Sequence, residues 1–208
     1  MRFKVFFLVS FFVSSLLAQN SPYIITHDDL IDQRAQDKIT QIGDEVKKKF
    51  NINLYVDIKE NNGINPELPR EVRIKLMKQK DQEIINKVKK PYAILVISID
   101  QLYSNILASQ DVATKLDKDD ILDNYVIPLL ASKDKNTLFA KTSAATLNGF
   151  AQMADSIAAK ANVKLESSIG SEGKTASTVW RVFMYSLVLI GILLYAVIIL
   201  RERKYKNK

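Results

Sequence analysis

Asp117, Asp119, Asp120 and Asp123 form the densest run of carboxylates in the chain, with Asp100 and Asp111 shortly before them. Residues 100–134 hold seven acids against three bases. Clustered hard oxygens suit calcium or magnesium. The spacing departs from the twelve-residue calcium loop, which needs Gly at its sixth position and Glu at its twelfth. A helix cap from Asp119 or Asp120, followed by a solvated face, accounts for the same residues more simply.

Other chemistries have fewer residues to work with. His27 is the single histidine, so a Ser-His-Asp arrangement would have to be built on it, at the edge of the first expected helix. A capping or exposed role is the simpler reading. The absence of cysteine excludes disulfides, thiolate metal sites, a lipidated cysteine and a thiol nucleophile together. No GxSxG, P-loop or GxGxxG pattern occurs, and Gly170 and Gly173 fall in a polar stretch rather than between a strand and a helix. No residue set names a reaction.

Charge is distributed unevenly. The net charge is +7, yet residues 19–179 carry 22 basic and 22 acidic side chains. The excess lies at the two ends, which removes the electrostatic case for binding nucleic acid. Within the neutral part, residues 59–90 carry nine bases against five acids, opposite in sign to 100–134. Such patches are ordinarily solvated faces; they would also orient the domain against a charged partner.

The ends specify export and anchoring. Residues 1–18 place Arg2 and Lys4 before an apolar run and close on Ala18, the pattern of a signal peptide cleaved before Gln19. Val182 to Leu200 is uncharged, and thirteen of its nineteen residues are Leu, Ile, Val or Phe. At about 1.5 Å per residue this run crosses a hydrocarbon core of about 30 Å. With Trp180 and Arg181 at its start, the expected membrane helix is 180–200. Residues 201–208 hold five basic side chains, which places the tail in the cytoplasm and the preceding domain outside. The chain has no disulfide and no Asn-x-Ser/Thr acceptor, consistent with a bacterial envelope: the inner membrane, single-pass, with the domain in the periplasm or outside.

The domain between the ends, 19–163, has room for a core of its own. Leu30, Ile31, Ala35, Ile39, Ile42, Val46 and Phe50 step by three and four, so 28–49 is expected as an amphipathic helix with Asp28 and Asp29 at its start. Ile52, Leu54, Val56 and Ile58 alternate with polar residues and predict a strand. Residues 60–69, with Asn62-Gly63 and two prolines, predict a loop. Val72, Leu76, Ile84, Ile85 and Val88 support a lysine-rich helix ending by Pro91. The apolar run at 92–99 predicts a strand covered on both faces, and 102–108 a hairpin partner. Short helices are expected at 111–116 and 120–130 and a long one over 133–161. Residues 164–179, rich in Ser, Gly, Lys and Thr, are expected as a flexible linker. This order implies an α/β fold, a three-layer α/β/α sandwich around a small mixed sheet.

This layout resembles the TPM domain family, named for a thylakoid lumen protein, a photosystem II repair protein and a nematode receptor modulator. The resemblance covers about residues 24–161: an opening helix, a strand at Ile52–Ile58, a helical crossover, an apolar hairpin at Tyr92–Ala108, acidic short helices and a long last helix. Where members show Trp and Gly before the central strand, this chain reads Lys89-Lys90-Pro91. Where they show a small-Gly pattern after the hairpin, it reads Ala108-Ser109-Gln110. The resemblance implies weak phosphatase activity or calcium binding by acids at the sheet's end, and Asp57, Asp100, Asp111 and Asp119 are the nearest positions here. No cofactor other than calcium is implied. The expected function is a membrane-tethered interaction domain serving assembly, repair or quality control of an envelope membrane complex. A metal-dependent phosphatase or calcium-binding domain is the alternative.

Overall fold

The computed structural model describes residues 21–169 together with Tyr185 and Ser186. The expected signal peptide, the basic tail and, apart from those two residues, the expected membrane helix lie outside the described residues. Among the described residues no helix is long and apolar enough to cross a membrane.

The first helix, α1 (Gln33–Phe50), starts five residues later than the expected start at Asp28. Leu30 and Ile31 are buried, but in a loop, and Asp28 and Asp29 hold left-handed backbone at φ 38° and 54°. The cap is Asp32, whose carboxylate accepts from the Ala35 amide at 3.0 Å. Lys47, Lys48 and Lys49 sit in the last turn, where the helix dipole favours cations, and Asn51 closes the helix in left-handed conformation.

Four strands, β1 (Ile24–Thr26), β2 (Asn53–Lys59), β3 (Tyr92–Ser98) and β4 (Tyr103–Ala108), make a mixed sheet in the order β1-β2-β3-β4. The first three run parallel and β4 antiparallel. Three-residue β1 is too short to show a period in the sequence. It forms because the Tyr23 carbonyl accepts from the Val56 amide, continuing the ladder of β2.

The seven residues of β3 are all buried, and their side chains divide by parity. Ala93, Leu95 and Ile97 join one apolar cluster with α1 and α6 (Leu138–Lys160), whose Phe150, Met153 and Ile157 supply much of its volume. Ile94 and Val96 face the other way, onto a smaller cluster with Met77 and Ile84 of α2 (Arg70–Ile85). Helices therefore cover both faces of a small mixed α/β sheet. The buried residues of α2 are Met77, Asp81 and Ile84; of the expected stripe, Leu76, Ile85 and Val88 pack against the same cluster, while Val72 is exposed.

After β4 come α3 (Gln110–Ala113) and α4 (Lys118–Ile121), a widened π turn over Leu122–Val126, α5 (Ile127–Leu130), and α6, capped by the Thr137 hydroxyl. Two close approaches lock the layers. Gly43 lies under the Tyr23 ring, where a Cβ would come within 2.5 Å of it, and Gly149 passes between Val126 and Leu95. Ser143 ties the two long helices at their N-terminal ends, accepting from the Asp32 amide at 2.7 Å and donating to the Leu30 carbonyl.

Residues 164–169 do not leave the domain. Leu165 is buried, and Glu45 of α1 accepts from the Glu166 amide at 2.9 Å and from the Ser167 amide at 2.8 Å. The first six residues of the expected linker are thus laid along α1. They are held there because a buried leucine and an acid on α1 answer an otherwise polar stretch.

Candidate functional site

Parallel strands bring their carboxyl ends to one edge, and in open α/β sheets that edge is where loops can converge on a ligand. Here the edge carries His27, Asp28, Glu60, Asn61, Asn62, Ser98, Asp100 and Gln101. Most of their polar atoms hold the loops together. Asp28 accepts from the Glu60 amide at 3.0 Å, and Asp100 accepts from Asn61 Nδ2 at 2.7 Å. Asn62 donates to Ser98 Oγ at 2.7 Å, and Gln101 Nε2 donates to the Ile64 carbonyl at 2.6 Å. A small surface hollow of about 330 Å³, lined by Thr26, His27, Asp28 and Asp29, lies beside this edge.

Below the edge is Asp57, 1 % exposed on β2. Its Oδ1 accepts from the Thr26 hydroxyl, and its Oδ2 has no hydrogen-bond partner among the described residues. Burial pushes this carboxyl above the usual range, against the pull of the Thr26 hydroxyl and of Lys59. Two strands away on the same register row stands Asn105, across Val96. Asn105 donates to Asp81 of α2 at 2.9 Å, and the Tyr103 hydroxyl donates to the same oxygen at 2.5 Å. Asp81 is 2 % exposed, and its Oδ1 too has no hydrogen-bond partner among the described residues. Burial, with the Asp81 bond, raises the Tyr103 phenol above its ordinary range.

The four acids singled out in the sequence do not meet. Asp57 and Asp100 share the carboxyl edge. Asp111 follows Ser109, whose amide bonds the carbonyl of Tyr92, the first residue of β3, and so lies at the opposite edge. Seven residues of β3 separate the two edges, about 20 Å. The exposed Asp111 carboxyl is lowered by the Ser109 hydroxyl rather than by a shared cation site. Asp119 lies at that far end too, in a cleft of about 470 Å³ shared with Asp117 and Lys160. Asp117 serves as the cap of α4, accepting from the Asp120 amide at 3.1 Å. Among the described residues no three His, Cys, Asp or Glu side chains are placed to hold one metal ion.

A second feature lies between the N-terminal halves of α1 and α6. This open groove of about 650 Å³ is walled by Ala35, Phe139, Ala140, Ala144, Leu147 and Ile169, with Asp32, Arg34 and Lys38 at its rim. The groove has no signature in the sequence, because neither wall exists until α6 returns beside α1. Asp81 does have one: an acid at the four-and-three spacing from Met77 and Ile84 stands out on an apolar stripe.

Fold and site together define a small mixed α/β domain with an open apolar groove and two buried carboxylates. No family model matches the chain, and no curated protein or solved structure matches it either.

Proposed function

We propose that the protein is a membrane-tethered, extracytoplasmic interaction domain of the TPM type. In this reading it is a three-layer α/β/α sandwich carried by a C-terminal membrane helix at 180–200, in the inner membrane, with its tail in the cytoplasm. It serves assembly, repair or quality control of an envelope membrane complex. The observation that carries the reading is the state of the carboxyl edge. The bonds Asn61–Asp100, Asn62–Ser98, Gln101–Ile64 and Asp28–Glu60 use its polar groups to hold loops in place. What the domain offers outward is surface, and surface suits a binding partner. Crosslinking of the full chain in its membrane, followed by gentle detergent extraction, should recover one protein repeatedly above controls. Recovery of none would remove the proposal.

The alternative, a weak metal-dependent phosphatase or calcium-binding domain, is favoured by the unpartnered Oδ2 of Asp57. It predicts phosphate-ester turnover by the full chain in detergent that is lost in Asp57→Asn. It also predicts micromolar heat on adding calcium. Turnover unchanged in that variant would take Asp57 out of the site.

A further inference from the structure

The docked segment has a direction. It starts with Lys49 Nζ donating to the Lys164 carbonyl, continues through Glu45 at Glu166 and Ser167, and ends with Ile169 in the groove beside Arg34, Ala35 and Lys38. The chain climbs α1 from its last turn to its first. It therefore leaves the described domain at the N-terminal ends of α1 and α6. The same end exposes two large apolar side chains in the first turn of α6, Leu138 at 41 % and Phe139 at 43 %.

We infer that this end of the domain, with Leu138, Phe139 and the groove beside Ile169, rests on the phospholipid surface of the bilayer that anchors the chain. The inference rests on the tether reading above. Twelve residues, 170–181, separate Ile169 from the apolar run at 182–200. A flexible chain of twelve residues spans roughly 20 Å. A domain of this size has a radius of gyration of about 15 Å, hence a diameter of roughly 40 Å. The exit end lies within the span of the leash, and the far end with Asp117, Asp119 and Lys160 lies beyond it.

The chemistry of the exit end fits lipid better than it fits the chain's own next residues. Gly170 to Ser177 contribute a single apolar side chain, Ala176, to fill an apolar groove. Phe and Leu side chains suit the boundary between headgroups and acyl chains, and Arg34, almost wholly exposed with its Nε 4.0 Å from Asp32, and Lys38 can meet phosphate oxygens. Acids at this end are partly engaged: Asp32 caps α1, Asp28 accepts from the Glu60 amide, and Asp134 pairs with Lys141 at 3.4 Å. Asp37 accepts from Gln33 Nε2 at 2.9 Å and Asp29 lines the neighbouring hollow, so the contact is apolar in character and depends weakly on salt.

The chain's single tryptophan, Trp180, makes the test direct. The full chain is placed in phosphatidylcholine nanodiscs with and without lipids brominated near the headgroup. Trp180 in the native chain should be quenched, which reports the tether. A reporter at position 139, made by Phe139→Trp with Trp180→Phe, should lose half its emission or more. One at the far end, Lys118→Trp with Trp180→Phe, should lose none. Leu138→Trp with Trp180→Phe serves as a second reporter should the first lose its native circular dichroism.

Quenching of Trp180 without quenching at 138 or 139 overturns the inference and leaves the tether standing. No quenching of Trp180 overturns both. A reporter at 139 shielded from acrylamide yet untouched by brominated lipid overturns the lipid surface in favour of a protein occupant, residues 170–181 or a second copy. Equal quenching at 118 and 139 overturns the orientation.

Discussion

The two faces of the sheet are built differently. One is covered by α1 and α6, and its cluster holds Ile39, Ile42, Leu54, Leu95, Phe150 and Met153 with almost no exposure. The other is covered, among the described residues, by α2, has a smaller cluster, and places Asp57 and Asp81 under cover with one oxygen of each unpartnered among those residues. Apolar burial stabilises in proportion to area, whereas an unpaired buried carboxylate costs free energy. The first face therefore holds the fold together, and the second carries Asp57, whose carboxyl burial raises above its ordinary range.

The comparison breaks if the faces respond alike to truncation. Phe150→Ala on the α6 side should cost about 3–5 kcal/mol, against about 2–3 kcal/mol for Met77→Ala on the α2 side, read by urea denaturation of the two variants. Equal losses would mean that α2 contributes as much as α6. Gly43→Ala tests the rigidity of the first face. The added methyl meets the Tyr23 ring, whose hydroxyl is held by Asp44 at 2.7 Å, so the ring cannot simply turn away. The gain in helix propensity should not offset the clash, leaving a net loss of about 1–2 kcal/mol in the same measurement.

On the second face the sign reverses. The folded state raises the Asp57 pKa, so the folded protein holds its proton more tightly than the unfolded chain. That contribution favours folding at acid pH and is lost as pH rises from the unfolded pKa through the folded one. Asp57→Asn should gain about 1 kcal/mol at pH 7 and flatten this part of the stability profile. A loss at neutral pH would show that the carboxylate is held by a cation.

The smallest effect belongs to the docked segment. Partial burial raises Glu45, but the bonds from Lys49, Ser167 and the amides of Glu166 and Ser167 outweigh it and bring the carboxyl down to about 2. Its contribution is present above the ordinary value of 4.5 and is lost as the pH falls towards about 2. Glu45→Gln should leave global stability within about 1 kcal/mol while the Ser167 amide exchanges with solvent at least several-fold faster. Unchanged exchange would show that Leu165 alone holds the segment.

Much of the architecture was legible because period is a local property. The alternation at Ile52–Ile58 and the apolar run at 92–99 predicted β2 and β3 to within a residue, and the apolar spacing from Leu30 to Phe50 predicted α1 apart from its start. Boundaries set by turns were less legible. Asp28 and Asp29 looked like a helix start, yet they hold left-handed backbone that steers Leu30 and Ile31 inward. Leu102 was expected in β4 and instead sits in the hairpin turn at φ 48°, 85 % exposed.

The candidate sites were the least legible part. Asp57, Asp100, Asp111 and Asp119 are each visible as acids, but a sequence does not state which end of a sheet a residue reaches. By itself the sequence determined the charge ledger, the absence of thiol chemistry, the apolar run at 182–200 and the periods of the principal helices and strands. All of these depend on residue type and near neighbours. Only the tertiary structure decided that the four acids divide between opposite edges, that Asp81 meets Tyr103 and Asn105, and that residues 164–169 lie along α1. Those pairings join residues 22 to 122 positions apart, and chain connectivity with competitive burial, not local pattern, selects them.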